Sequence, residues 1–224
     1  FKDFLPDGEA VVDAEKQKLA YLSGLPVPQI IDVTKVNGQQ VIVMEYVKGE
    51  TLGELFLKNK ENANTILDLS VDIQLQIHSI VPNTKVLMRD KLYYQIEKAK
   101  LLTERQKIYL LSKLDSLSYE NRLCHGDFHA VNLIQTDSEI FIIDWVDSSA
   151  GDVRADVYRT YLLFTQFSEE IADLYLQLYC QKSGIERDEV FEWAPIIAGA
   201  RLSENVSSEN STRLLDIVNK YCPV

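Results

Sequence analysis

The chain has 224 residues, 46% hydrophobic and 25% charged, enough to bury a full core as one domain of two lobes or as two small domains. Its net charge of −11, from 23 basic and 34 acidic residues, argues against a nucleic-acid backbone as partner; it is compatible with a cationic small molecule and also serves solubility. No apolar run reaches membrane-span length and the first residues lack signal-peptide features, while three scattered cysteines (Cys124, Cys180, Cys222) without metal-ligand spacing fit reduced thiols in a cytoplasm.

Residues 7–24 predict a helix. Val11, Val12, Leu19 and Leu22 fall at helical spacing, acids cluster at the start, and Gly24, Pro26 and Pro28 stop it. Strands are expected over 29–35 and 40–45, joined at Asn37-Gly38, a dipeptide that favours a tight hairpin turn. Thr51 with Glu54 three residues later is a capping box that opens a helix. Ile66, Leu69, Ile73 and Ile77 mark a long amphipathic helix over 61–80, with His78 as a structural contact near its end. A second capping signal, Thr103 to Gln106, opens a helix to about residue 117. After Gly151 the chain reads as helices over 153–167, 169–183, 187–202 and 209–221, with Ser168 as an N-cap and Gly184 as a helix end.

Between these helices lies the chemistry. An apolar strand end, Leu123-Cys124, runs into His125-Gly126-Asp127, with Asn132 five residues on. Leu133 to Gln135 and Ile140 to Ile143 are short apolar strands around the polar turn Thr136-Asp137-Ser138-Glu139, and Asp144-Trp145 follows. In an antiparallel hairpin the residue before the first strand lies beside the residue after the second. Asn132 and Asp144 should therefore meet at the open end, facing Asp127. An amide carbonyl and a carboxylate suit magnesium, and a second carboxylate can accept or orient the proton of an attacking hydroxyl. His125 reads as a hydrogen-bonding strut rather than a base, and Asp147 as a residue that orders the loop.

His125-Gly126-Asp127, Asn132, Ile143-Asp144-Trp145, Gly151-Asp152 and Asp156 together resemble the aminoglycoside phosphotransferase and choline kinase group of small-molecule kinases. Ala130-Val131 departs mildly from that pattern. The resemblance implies an α+β, protein-kinase-like fold: a partial, β-rich small lobe over 1–47, with the hinge at its end, then a large, mainly helical lobe over 48–224. It implies a phosphotransferase that uses magnesium and ATP or GTP on a hydroxyl of a small molecule, aminoglycoside-like or another amino-alcohol or sugar, with Asp127 as catalytic base and Asn132 and Asp144 as metal ligands. Asp152 and Asp156 are structural by the same resemblance. Backbone groups of Glu45 and Val47 would meet the base of the nucleotide, and Glu15 would pair with a phosphate-binding lysine. Lys2 is the only lysine before Glu15 and no glycine-rich phosphate loop is present, so the lysine is expected upstream of Phe1 and the chain is expected to begin inside the small lobe.

The acceptor pocket is expected from the C-terminal helices, with Glu192, Trp193, Glu204 and Tyr158 as candidates and Arg159 pairing a carboxylate. Only seven residues separate Asp144 from Asp152, too few for a protein-kinase activation segment. The alternative to a small-molecule kinase is a catalytically impaired, kinase-like binding protein.

Overall fold

The computed structural model describes residues 2–3, 9–204 and 209–222. Its first sheet has three antiparallel strands in the order β1 (Lys2–Asp3), β3 (Gln39–Met44), β2 (Ile30–Val36). Asn37 and Gly38, both at positive φ (53° and 84°), make the tight turn between β2 and β3 that their side chains favour. Helix α1 (Glu9–Leu22) lays Ala10 and Ala14 on Ile30 and Ile42 of this sheet, and all four are buried. The expected start of that helix at residue 7 lies outside the described residues.

The chain then passes through residues 45–49 into β4 (Glu50–Thr51), which pairs with β6 (Leu133–Gln135), itself paired with β7 (Ile140–Ile142). Gly49 is required at this crossing, because a Cβ there would lie 2.1 Å from the Gln135 carbonyl oxygen. Thr51 and Glu54 form the expected capping box of α2 (Leu52–Lys58). A third pair, β5 (Arg122–Cys124) with β8 (Ser149–Gly151), places Leu123 opposite Ala150.

Around these strands pack α3 (Ala63–His78), α4 (Met88–Lys98), α5 (Glu104–Ser116), α6 (Val153–Phe164), α7 (Glu169–Ser183), α8 (Arg187–Phe191), α9 (Ala194–Arg201) and α10 (Ser211–Tyr221). Helix α4 escapes a periodicity reading for a physical reason. Its buried stripe is only Met88, Leu92 and Ile96, and Leu87 at its N-cap makes no side-chain capping bond. The helix expected over 187–202 is broken at Glu192-Trp193. Pro195, near the start of α9, has no N–H, and its ring would collide with the carbonyl four residues back in a continuous helix.

Trp193 and Tyr158, expected near the acceptor, are instead core: Trp193 is fully buried and Tyr158 nearly so. The Trp193 indole N–H donates to Asp152 Oδ2 (3.1 Å), and Asp152 Oδ1 accepts the Arg154 N–H (2.8 Å), capping α6. Glu192 is exposed.

The large core closes on Asp156. Its Oδ1 accepts the Gly126 N–H (2.7 Å); its Oδ2 lies 2.9 Å from His78 Nε2 and within 3.3 Å of the His125 N–H and of Gln74 Nε2. His78 Nδ1 in turn meets the Tyr179 hydroxyl at 2.7 Å. Burial pushes the Asp156 carboxyl up, but the His78 contact, the charge near His125 and the Gly126 N–H outweigh it and hold the carboxyl below its ordinary value. One carboxylate thus ties α6, α3 and α7 to the loop after β5.

Asp156→Ala should lower the unfolding free energy in urea by about 3–5 kcal/mol, the cost of leaving buried partners uncompensated. Because the folded carboxyl is depressed, that stabilisation is present above the unfolded value, about pH 4, and is lost as pH falls through the folded one. The gap between variant and parent should therefore narrow in acid.

Candidate active site

The pairing of β5 with β8 makes two loops leave adjacent strands. One is His125 to Asn132; the other is Asp144 to Ser148. Gly126 sits where they touch, at φ +83°, and a Cβ there would come within 2.4 Å of the Asp147 carbonyl oxygen, so only glycine fits. The His125 ring is buried against Trp145 and Phe128. Its Nδ1 accepts the Asp127 N–H (3.3 Å), which leaves Nε2–H to donate to the Ile143 carbonyl (3.0 Å). Burial pushes the His125 imidazole down, so the ring is a neutral strut between the two loops, as its position after an apolar strand suggests.

The hairpin has the expected form. Leu133 lies opposite Ile142, so Asn132 falls opposite Ile143, whose N–H donates to the Asn132 carbonyl (3.0 Å). Asp144 is the next residue, in the left-handed region at φ 64°, ψ 60°. That conformation is unusual for any residue but glycine, with Asp among the more tolerant, and it lifts the carboxylate out of the strand line. Asn132 Nδ2 donates to the Asp127 carbonyl (2.9 Å), which fixes the amide and turns its oxygen away from that bond. Asn132 is thereby tied to the Asp127 backbone through its amide and, through its carbonyl, to Ile143, the residue before Asp144. An amide oxygen and an exposed carboxylate are hard oxygen donors of the kind magnesium takes, so the residues present fit the ion.

His129, which the motif alone does not single out, stands between Asp127 and Asn132. Its Nε2 lies 3.4 Å from Asp127 Oδ2 and 3.4 Å from Asn132 Nδ2. Burial pushes the Asp127 carboxyl up, but the hydrogen bond and charge of His129, helped by the Arg159 guanidinium, lower it to about 2.

A cleft of about 630 Å³ opens beside Asp144. Asp144, Trp145 and Val146 line one side, and Met44, Glu45, Tyr46 and Val47 line another, so the expected hinge residues share the cavity with Asp144, while Asn132 and Asp127 are not part of its lining. Glu15 does not. It is exposed on α1 and lies outside the cleft lining, to which α1 contributes Asp13 and Gln17. Two residues along a helix is a rotation of about 200°, so Asp13 and Glu15 face nearly opposite ways. Lys16 pairs with Asp13 (3.3 Å) and donates to the Val146 carbonyl. The expected lysine upstream of Phe1 lies outside the described residues.

A second, small cavity of about 30 Å³ lies behind Gly126, lined by Lys91, Gln95, Asp147, Arg159 and Glu204 among others. Asp147 pairs with Lys91 there, and Arg159 meets Glu204 through two bonds (2.7 and 3.0 Å). His78, Cys124 and Asp156 also bring ligand-type atoms within 4.8 Å of one another. Both imidazole nitrogens of His78 are engaged and burial pushes the Cys124 thiol up, so this cluster is part of the core network.

Among the described residues no helix is long and apolar enough to cross a membrane. Residues 2–194 match the family model described as "Phosphotransferase enzyme family". The LicA protein of Haemophilus influenzae is 26% identical over 145 residues, 55% of this chain and 54% of LicA. The chain thus spans about half the length of the curated relatives it matches. Three solved structures show the fold. A thermostable mutant of aminoglycoside phosphotransferase APH(4)-Ia, in a ternary complex with ADP and hygromycin B, has a TM-score of 0.67 at 13% identity over 95% of this chain and 84% of that one. LicA in complex with AMP gives 0.65 at 16% identity over 95% and 79%. Aminoglycoside phosphotransferase APH(3'')-Id from Streptomyces rimosus ATCC10970, with ADP and streptomycin, gives 0.63 at 16% identity over 90% and 85%. With the kinase-like fold, the paired loops and the family match in agreement, the chain belongs to the phosphotransferase enzyme family.

Proposed function

We propose that this chain transfers the terminal phosphate of ATP to a hydroxyl of a small molecule, with Asp127 at the reacting oxygen. The observation behind this is the pair of loops that ties Asn132 to Asp127 and sets it opposite Ile143, with Asp144 next in a cleft whose far wall is residues 44–47. The Glu45 carbonyl and the Val47 N–H read the adenine edge, in keeping with the adenine nucleotides bound by the solved relatives. The small lobe ends at residue 47 and the large lobe begins at residue 48. The Asn132 amide oxygen and the Asp144 carboxylate would hold magnesium, which would supply neutralisation of phosphate charge when bound.

A carboxyl held at about 2 is too weak a base to strip an alcohol before bond formation. Asp127 instead accepts a hydrogen bond from the acceptor hydroxyl and aims it. As the new O–P bond forms and the bond to the leaving ADP oxygen breaks, the alcohol proton becomes acidic and passes to the Asp127 carboxylate. A loose transition state places proton transfer late, so alignment matters more than basicity. On α1, Asp13 lines the cleft where Glu15 does not, and Lys16, held by Asp13 and the Val146 carbonyl at its edge, is the cation on this helix proposed for the phosphates.

Asp127→Ala should lower kcat about 10²–10⁴-fold, with a circular-dichroism melt close to the parent's. Asp144→Ala should abolish transfer while the fold survives; ADP release near the parent's rate in either variant would sink the assignment. Lys16→Ala should weaken binding of a fluorescent ATP analogue about ten-fold, the loss of one charge-assisted bond, whereas Glu15→Ala should leave affinity unchanged. Equal losses in both would return the role to Glu15. His129→Gln should raise the Asp127 carboxyl toward its ordinary value, read by carbon-13 carboxyl titration. The sign follows from the depressed folded value: the His129 contact stabilises the fold above about pH 4, and that contribution fades as pH falls toward 2. An unmoved carboxyl would show that His129 does not set it.

A further inference from the structure

The small cavity behind Gly126 holds cationic donors that are not matched in full. Two of its three carboxylates are filled, and the third, Asp147, is held by Lys91 on one oxygen. Asp156 accepts from His78, Gln74 and two backbone N–H groups. Glu204 accepts two bonds from Arg159, one from Arg201 (3.0 Å) and one from Gln95 (3.1 Å), which fills the capacity of a carboxylate. Asp147 is bound by the Lys91 ammonium, which also donates to the Asp147 carbonyl (3.2 Å).

The cations are less fully used. Lys91 has three N–H donors, and these two bonds leave the third. Arg159 Nε is a buried donor with no hydrogen-bond partner among the described residues. A charged donor left unmatched beside a cavity is a rare and unfavourable arrangement unless an acceptor comes to it. The cavity, about 30 Å³, admits an oxygen-sized group rather than a ring. Gly126, in its wall, is the neighbour of Asp127 in the chain.

The geometry points to an oxyanion subsite: the acceptor presents a carboxylate or phosphate group to Arg159 and Lys91 while its hydroxyl lies at Asp127. This deepens the phosphotransferase reading and rests on it. It also reverses the expectation drawn from the net charge of −11. Recognition of an ammonium needs a carboxylate with unused lone pairs and an unpaired charge; Glu204 has no lone pair to offer, and Asp147, which keeps some, is already neutralised by Lys91. An acceptor oxyanion shifts or shares Glu204 on Arg159, and it takes the donors that the cavity leaves over. The shape of the arginine suits a planar carboxylate; the lysine is a point charge that serves carboxylate and phosphate alike.

The test uses matched acceptors with ADP release as readout. One set is glucuronate, glucose and glucosamine; another is glycerate, glycerol and serinol; glucose 6-phosphate separates phosphate from carboxylate. The anionic member of each set should be favoured in kcat/KM by at least about ten-fold, the scale of one charge-assisted bond. Lys91→Gln, at a half-buried position, and Arg159→Lys should each raise KM for the anionic acceptor more than they lower kcat. KM for ATP should stay at the parent's value. Preference for the cationic or neutral member, or no preference, overturns the subsite. Should no member react, malonate and inorganic phosphate should raise the Tm of the nucleotide-loaded protein, and Lys91→Gln should remove the rise; no rise overturns it. Nucleotide binding separates the two levels. Failure of the parent protein to bind ATP defeats the kinase reading and the subsite with it, whereas ATP binding without anion preference overturns the subsite alone.

Discussion

The buried carboxylate of Asp156 is the constraint on which the arrangement of the site rests. It has no water to solvate it, so every lone pair must find a donor within the fold. Those donors come from His78 and Gln74 on α3 and from the backbone of His125 and Gly126. The loop that holds Asp127 is therefore set by the same interaction that docks α6 against α3, and Tyr179 of α7 joins through His78. Loss of the large core and loss of loop geometry are one event rather than two.

The second constraint is steric. Gly126 brings the two loops so close that no side chain fits between them, and Gly49 does the same where β4 crosses β6. Asp144 adds a left-handed backbone at the end of the hairpin. Strain of this kind persists only where the surroundings over-determine it. Here they do: the Trp145 ring is buried, its indole N–H donates to the Ile142 carbonyl, and the Ile143 carbonyl accepts from His125. The unusual conformation is the means by which a carboxylate two residues past a strand reaches the cleft.

Electrostatics divide the two ends of the site. Near the cleft, Asp127 is kept ionised by His129 and by the more distant Arg159, so its charge does not vary over the neutral range. Behind Gly126 the charges are locked into pairs, and the pairs continue outward from Glu204 through Arg201 to Glu209 and Arg213 on α10. An overall excess of acid is therefore a poor guide to the chemistry of the pocket. What a ligand meets is the residue of donors and acceptors left after the protein has satisfied itself.

Local chemistry in the sequence was enough to place the hairpin after Asn132, the turn at Asn37-Gly38, both capping boxes and the helices after Gly151 except for the break at Glu192-Trp193. Each depends on residues within a few positions of one another. The placing of Asn132 opposite Ile143, the residue before Asp144, was legible for the same reason, because a two-strand register fixes which residues lie at the open end. Tertiary packing alone decided the rest. Helix α4 has a stripe too thin to announce itself, and it exists because Met88, Leu92 and Ile96 find a core to enter. Trp193 and Tyr158 are aromatic residues that could serve a pocket or a core, and only the neighbours that bury them choose between the two. The face of α1 that meets the cleft turned on a rotation of two residues, set by which side Ala10 and Ala14 press on the sheet. The Arg159–Glu204, Lys91–Asp147 and Gln95–Glu204 contacts join residues 45 to 109 positions apart along the chain, and pairing at that range follows from the fold, not from the order of residues.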